Sequence, residues 1–407
     1  MRLVFNASRS VDNQISLAVL ATETLMNTTD RPLPPSTGLD KTNPGKNERV
    51  LSIDALRGFD MFWIIGGSSV ASAILPQDDP ESWTAQVAQQ FEHVAWEGFR
   101  FYDLIFPLFI FLVGCVLPYS LRKYTASPKL VYGRIVRRGA LLILLGFIVN
   151  GALQFDFANM RYAHVLQRIG IAYVFAAILY LHSSWRGQVA AAAAILLGYW
   201  ALLAWVPAPG GVAGDYSMQG NLAGYLDRTY MPGIILEKYY GFGDNEGFLS
   251  TIPAIATALL GLLAGTWLQS AARPWHKVVG LAVAGAISLL VGHTWGLSFP
   301  VIKNLWSSSF VLVAGGWSLL LLSLFYAVVD VLAFHRLAFF WVVIGMNAIT
   351  IYVGQRIVNF HDIAQFFFGG LANLAGESSG LVLLIGILAI KWLLLFFMYR
   401  HRIFLRV

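Results

Sequence analysis

From Leu51 to the C-terminus the chain is a succession of apolar runs, each near the twenty residues that a helix needs to cross hydrocarbon. Ten are read, at about 52–75, 101–121, 135–153, 165–182, 188–206, 248–269, 277–296, 305–329, 338–356 and 379–399. Backbone N–H and C=O groups find no water in a bilayer, so runs of this length fold as helices with internal hydrogen bonds. Only 12% of the residues are charged and 57% are hydrophobic, far from the balance of a soluble domain. The expected class is all-α: a polytopic integral membrane protein with about ten transmembrane helices.

Basic residues set the expected orientation. Arg122, Lys123, Lys129, Arg134, Arg137 and Arg138 crowd the link between the second and third runs. Arg186, Arg273, Lys277, Arg336 and Arg400 fall in alternate links and at the end, whereas the opposite links are thinner in Lys and Arg. The positive-inside rule then places both termini in the cytoplasm. These anchoring loops account for the basic pI of about 9.3, so no nucleic-acid partner is expected. Residues 1–48 are rich in Ser, Thr, Asn and Pro without periodicity, and read as a disordered cytoplasmic tail before a membrane domain over 49–407. Cys115 is the single cysteine, which excludes an intrachain disulfide, and no zinc or iron–sulfur spacing occurs.

Chemistry concentrates in the segment FEHVAWEGFRFYDLIFPLFIFLVG, residues 91–114. If it is helical throughout, His93, Glu97, Arg100 and Asp103 share about a third of the circumference at the mouth of a span. Ionisable groups there line pockets or pathways, and a histidine exchanges protons near neutral pH. His93 and Asp103 are therefore the expected catalytic pair. Other polar positions cluster on the same outer face: Arg161, His164, Gln167 and Arg168 at the start of the fourth run, and Lys303 and Asn304 at the eighth. Asn347 lies within the ninth run, and the one long link, Pro207 to Gly247, brings Asp244 and Glu246 to the sixth. Loops of such length are commonly functional. Arg161 has the simpler reading of an interfacial anchor, and Asp54 with Arg57 that of an intrahelical ion pair.

The segments SIDALRGFDMFWIIGG, FEHVAWEGFRFYDLIFPLFIFLVG, VLQRIGIAY, DNEGFLSTI, FPVIKNLWSSSF, YAVVDV and GMNAITIYVG, in this order, resemble the membrane core of the heparan-alpha-glucosaminide N-acetyltransferase family and its bacterial relatives. They extend from about residue 50 to 360. The resemblance implies transfer of an acetyl group from acetyl-CoA to the amine of a glucosamine-type acceptor, with His93 as general base or transient acyl carrier. It implies that Gln167, Arg168, Lys303, Asn304 and Asn347 meet the co-substrate, and that Trp96, Glu97, Asp244 and Glu246 meet the sugar. A multi-pass place in the bacterial inner membrane among its lipids follows from the same relatives, and the glycine-rich spans would support a homodimer. The sequence departs from the animal enzymes in having a polar tail where they carry a luminal domain, and Gly66 to Ser68 where they carry an asparagine. Bacterial relatives are also associated with N-acetylglucosamine use, so an amino-sugar transporter is the alternative, with stacking on Trp96, Trp306 or Tyr352. O-acylation of an envelope polysaccharide is a third reading.

Overall fold

The computed structural model describes residues 50–75, 79, 81–124, 128–237 and 240–404. The expected tail over 1–48 lies outside the described residues, as do Arg49, Asp78, Lys238 and Arg406. Among the described residues the protein is all-helical, and only two isolated bridges, Glu97 to Ile302 and Arg161 to Gly233, pair extended backbone.

Among the described residues seven helices are long and apolar enough to cross a membrane, or eight if one bent pair counts as a single span. The straight ones include α4 (Phe101–Leu121), α6 (Val165–His182), α7 (Trp185–Trp205), α9 (Thr251–Leu268) and α10 (Pro274–Gly296). To these add α11 (Ser308–Phe325), which continues through a π-turn to Val331, and α15 (Ser379–Arg400). The bent pair is α12 (His335–Met346) and α13 (Ala348–Ile357), which turn 56° about Asn347. The expected count of ten is higher for two physical reasons. The first run is split into α1 (Leu51–Phe62) and α2 (Ser68–Ile74) by a π-turn at Trp63–Gly67, where Gly66 takes φ 141°. The third, α5 (Pro128–Val149), carries Lys129, Arg134, Arg137 and Arg138 in its first half, too much charge for the apolarity of a span. Short helices α3 (Trp83–Gln89) and α8 (Leu222–Tyr230) sit in the two longer connections, and α14 (Phe360–Leu374) lies beside α15.

Close backbone approach organises the centre. Gly261 and Gly265, four apart on α9, face the carbonyls of Phe111 and Cys115, while Gly114 on α4 faces that of Ala258. A Cβ at any of the three would lie about 2 Å from carbonyl oxygen, so α4 and α9 meet through small residues, as helices do where lipid supplies no hydrophobic drive. Gly58 and Gly345 do the same for α1 and α12. The N-terminus of α1 receives the Asp330 carboxylate from the end of α11, which accepts from the backbone N–H groups of Leu51 and Ser52 at 3.1 and 3.0 Å. Around this frame, the link over 207–247 folds across one end of the bundle.

Candidate active site

The segment expected to be helical from Phe91 is not: residues 92–100 are extended and turned, and α4 begins at Phe101. Two bonds explain the delay. Gly98, at φ +123°, donates its N–H to Val301 O at 2.8 Å, and Glu97 bridges Ile302, so this stretch runs along residues 301–302. Asp103 then caps α4, accepting from the backbone N–H of Arg100 at 3.1 Å and more weakly from that of Val94 at 3.4 Å. A side chain at position 98 would hold the backbone in a region closed to L-residues, so Gly98→Ala is expected to cost about 1–3 kcal/mol. A lowered thermal unfolding midpoint in detergent checks this; an unchanged midpoint would show that the turn tolerates a Cβ.

Folding back in this way brings His93 to Asp103. The His93 Nδ1 lies 2.8 Å from Asp103 Oδ1, with the carboxylate fully buried and the imidazole half-exposed. Lys303, delivered by the 300–304 segment, places Nζ 2.8 and 3.1 Å from the two ring nitrogens and 3.4 Å from Asp103 Oδ1. The tautomer with hydrogen on Nδ1 satisfies the carboxylate and leaves Nε2 as the acceptor. Burial lowers the His93 pKa below the ordinary histidine value; the bond to Asp103 opposes this and the Lys303 charge adds to it. Burial also pushes Lys303 below the usual lysine value, against the pull of Asp103 and Glu246. Burial thus favours the neutral imidazole of His93.

His93 and Lys303 stand on the wall of a cavity of about 620 Å³, with Asp103 buried behind them. Its apolar depth is formed by Met61, Ile64, Ile105, Phe106, Phe109 and Ile169, and its polar end by Arg161, His164, Asn245, Glu246, Asn304 and Arg356. Glu237 and Tyr240 reach it from the 207–247 link. Arg161, read from sequence as an anchor, is instead 8% exposed and holds that link down. Its guanidinium donates to Asp244 at 2.7 Å through Nε, to Asn245 Oδ1 at 2.8 Å, and to Glu246. Burial disfavours its charge, and the two carboxylates outweigh that. Asp227 of α8 braces the same turn, accepting from the N–H groups of Asp244 and Phe248 at 3.2 and 3.0 Å; burial raises its pKa to about 6. His164 caps α6 through Nδ1, which accepts from Leu166 N–H at 3.2 Å; burial and the neighbouring Arg161 and Arg356 push its pKa down to about 4. It stays neutral and keeps Nε2–H as a donor.

The remaining expected site residues divide. Asn304 lines the cavity with His93 and Lys303. Gln167 and Arg168 do not; they line a second, mainly apolar cavity of about 400 Å³, which shares only Glu246 with the first. Arg168, 1% exposed, donates to Ser250 Oγ at 2.5 Å and lies over the Trp306 ring at 4.7 Å. Trp96 secures the link, its indole N–H donating to Tyr216 O at 2.9 Å and its ring resting on Tyr240. Glu97 is exposed and outside the cavity lining; Asp244 is also outside it, but buried and held by Arg161. Asn347 sits at the bend between α12 and α13, donating to Ile403 O at 3.0 Å. Asp54 and Arg57 pair within α1 at 3.3 Å.

Arg161 and His164 were named with Gln167 and Arg168 in one polar cluster, but both precede Val165, where α6 starts, so the helical period does not carry them to the same cavity as the other two. Arg356 and Glu237 stood in the sequence only as members of the polar end of the ninth run and of the long link, and Tyr240 gave no signal; all three join the cavity from elements distant in the chain.

Known proteins complete the picture. A family model described as a domain of unknown function (DUF5009) matches residues 49–210. Heparan-alpha-glucosaminide N-acetyltransferase of Mus musculus is 30% identical over 383 residues, 78% of this chain and 56% of that protein. The Homo sapiens protein of the same name is 30% identical over 331 residues, 66% of this chain and 49% of its own length. The chain spans about half the length of these curated relatives. The family model spans His93 and Asp103, and over most of its length the chain is similar to heparan-alpha-glucosaminide N-acetyltransferases.

Proposed function

We propose that this protein is a membrane acetyltransferase that moves an acetyl group from acetyl-CoA to the amine of a glucosamine-type acceptor. The observation that carries the reading is the neutral His93, oriented by a fully buried carboxylate on the wall of a cavity large enough for a small substrate. The family name of the relatives supplies the reaction class. The cavity suits the two partners of such a reaction: an apolar depth for a neutral thioester arm, and a polar end for a sugar.

Acetyl-CoA supplies an activated carbonyl whose carbon–sulfur bond breaks as the new carbon–nitrogen bond forms. The protein's part is proton transfer and charge stabilisation. An ammonium has no lone pair, so the acceptor reacts as the free amine, its ammonium proton already lost to solvent; as the carbon–nitrogen bond forms, the nitrogen gives a further proton to His93 Nε2, a step worth about 10²–10⁴-fold in rate. Asp103 fixes the ring through Nδ1 and steadies the imidazolium, whose proton then goes to the departing sulfur. Lys303 stands within 3.1 Å of Nε2 and must yield that position to the acceptor; Asp103 Oδ1, 3.4 Å away, is where its charge is next satisfied. Lys303 and the Asn304 amide are the donors available to negative charge developing on the carbonyl oxygen. Direct transfer asks only for proton movement at His93, and is preferred to an acetyl-imidazole intermediate.

The charge states fix the pH profile. The base works unprotonated, so turnover rises with pH through an inflection below the ordinary histidine value of 6.5 and is flat at neutrality. Lys303 works charged, so turnover falls again through an inflection below the ordinary lysine value of 10.5. The alkaline limb is expected to vanish in Lys303→Arg, whose charge persists. A profile without an acid limb would remove His93 from the base role. The test of the reading as a whole is acetyl-CoA binding by the purified protein, followed by CoA release that depends on added glucosamine. Absence of binding by folded protein, with sugar uptake by liposomes, would turn the reading to transport.

A further inference from the structure

A third cavity, of about 410 Å³, lies between α13, α14 and α15. Its polar lining is Gln355, Arg356, Asn359, His361 and Lys391, with the Phe360 ring below, and no carboxylate belongs to it. Lys391 falls near the middle of α15, a helix apolar enough to span the membrane, and is 7% exposed. Its Nζ donates to Ile65 O at 2.6 Å, in the π-turn after α1, and to Gln355 Oε1 at 3.0 Å. Both acceptors are neutral. Among the described residues no carboxylate lies within ion-pair distance of Lys391 or Arg356. At the rim the exposed Asp362 accepts from Asn359 Nδ2 at 2.6 Å and lies 3.7 Å from His361.

A buried ammonium in a span without a counter-charge is costly, and intramembrane cations ordinarily pair. Two cations and a histidine converging on one cavity, with two side-chain amides, form a receptor that lacks its anion. We infer that this cavity is a binding site for a phosphate-class oxyanion, held by Lys391 and Arg356 with His361 at its rim. The negative charge would neutralise Lys391 where the π-turn of α1 meets α15, and so join the first helix to the last. Arg356 lines both this cavity and the His93 cavity, which places the anion beside the proposed active site and outside it. The same chemistry is offered by the headgroup of an anionic phospholipid and by a soluble phosphate.

Thermal unfolding of the full-length protein in neutral detergent separates the two sources. The probes are phosphatidylglycerol, phosphatidylcholine as the zwitterionic control, and inorganic phosphate or pyrophosphate without lipid. A rise in midpoint with phosphatidylglycerol alone assigns the site to lipid, and a rise with pyrophosphate assigns it to a soluble phosphate. In either case half-saturation is expected to weaken about tenfold or more in Lys391→Met, which keeps the shape of the stem and loses the charge. His361→Gln, at an exposed position, is expected to weaken it less and covers the event that Lys391→Met does not fold. No saturable shift with either probe, or shifts unchanged in both variants, would overturn the site. The readout is binding, so it stands or falls independently of acetyl transfer.

Discussion

His93→Ala is expected to lower glucosamine-dependent CoA release by about 10²–10⁴-fold, while the protein inserts and unfolds at an unchanged midpoint. The imidazole is half-exposed and holds no helix end, so its removal takes away a base and little packing. Asp103 differs. Its carboxylate is buried and caps α4 as well as orienting His93, so Asp103→Ala mixes lost rate with lost stability. Asp103→Asn keeps the shape and separates them: it is expected to retain most of the stability but to lose turnover, because the amide favours the wrong tautomer of His93. Turnover retained in His93→Ala would end the assignment of the base, whatever the behaviour of Asp103.

The second large effect concerns Arg161. Removing one partner of a buried ion cluster leaves the others charged and unpaired, typically about 3–5 kcal/mol. Arg161→Met strands Asp244 and Glu246, both nearly inaccessible to solvent, and should release the 207–247 link from the end of the bundle. The expected result is a substantially lower unfolding midpoint with faster proteolysis within that link. Adding Asp244→Asn and Glu246→Gln in the Arg161→Met background is expected to restore part of the midpoint, since neutral amides cost less to leave buried. An Arg161→Met protein as stable as the wild type would show that the cluster is dispensable for holding the link. Activity should fall in the single variant even where it remains folded, because Arg161, Asn245 and Glu246 form the polar end of the cavity.

The class of fold was legible for a plain reason. Spans announce themselves by composition over twenty residues, a local property that needs no partner. The count was less legible, because Gly66 with its positive φ and the basic half of α5 act against what a hydropathy window averages. The pairing of His93 with Asp103 was named from sequence, though through a helix that does not exist at His93. The two meet because residues 92–100 run along 301–302 before α4 begins, which also brings Lys303, from some two hundred residues away, onto the same imidazole.

Periodicity misled where polar residues straddle a helix start. Gln167 and Arg168 lie inside α6 and turn to a different cavity from Arg161 and His164, which precede it. Lys391 stood in an apolar run with nothing nearby in sequence to suggest a role. What the sequence by itself determined is the membrane-helical class, the likeness to the acetyltransferase relatives and the choice of His93 as the proposed base, since each resides in local composition or in ordered motifs. The tertiary structure alone decided which cations meet which carboxylates. Charges in a low-dielectric interior interact through space, and which are brought within hydrogen-bond reach depends on loop paths and helix breaks that no local pattern encodes.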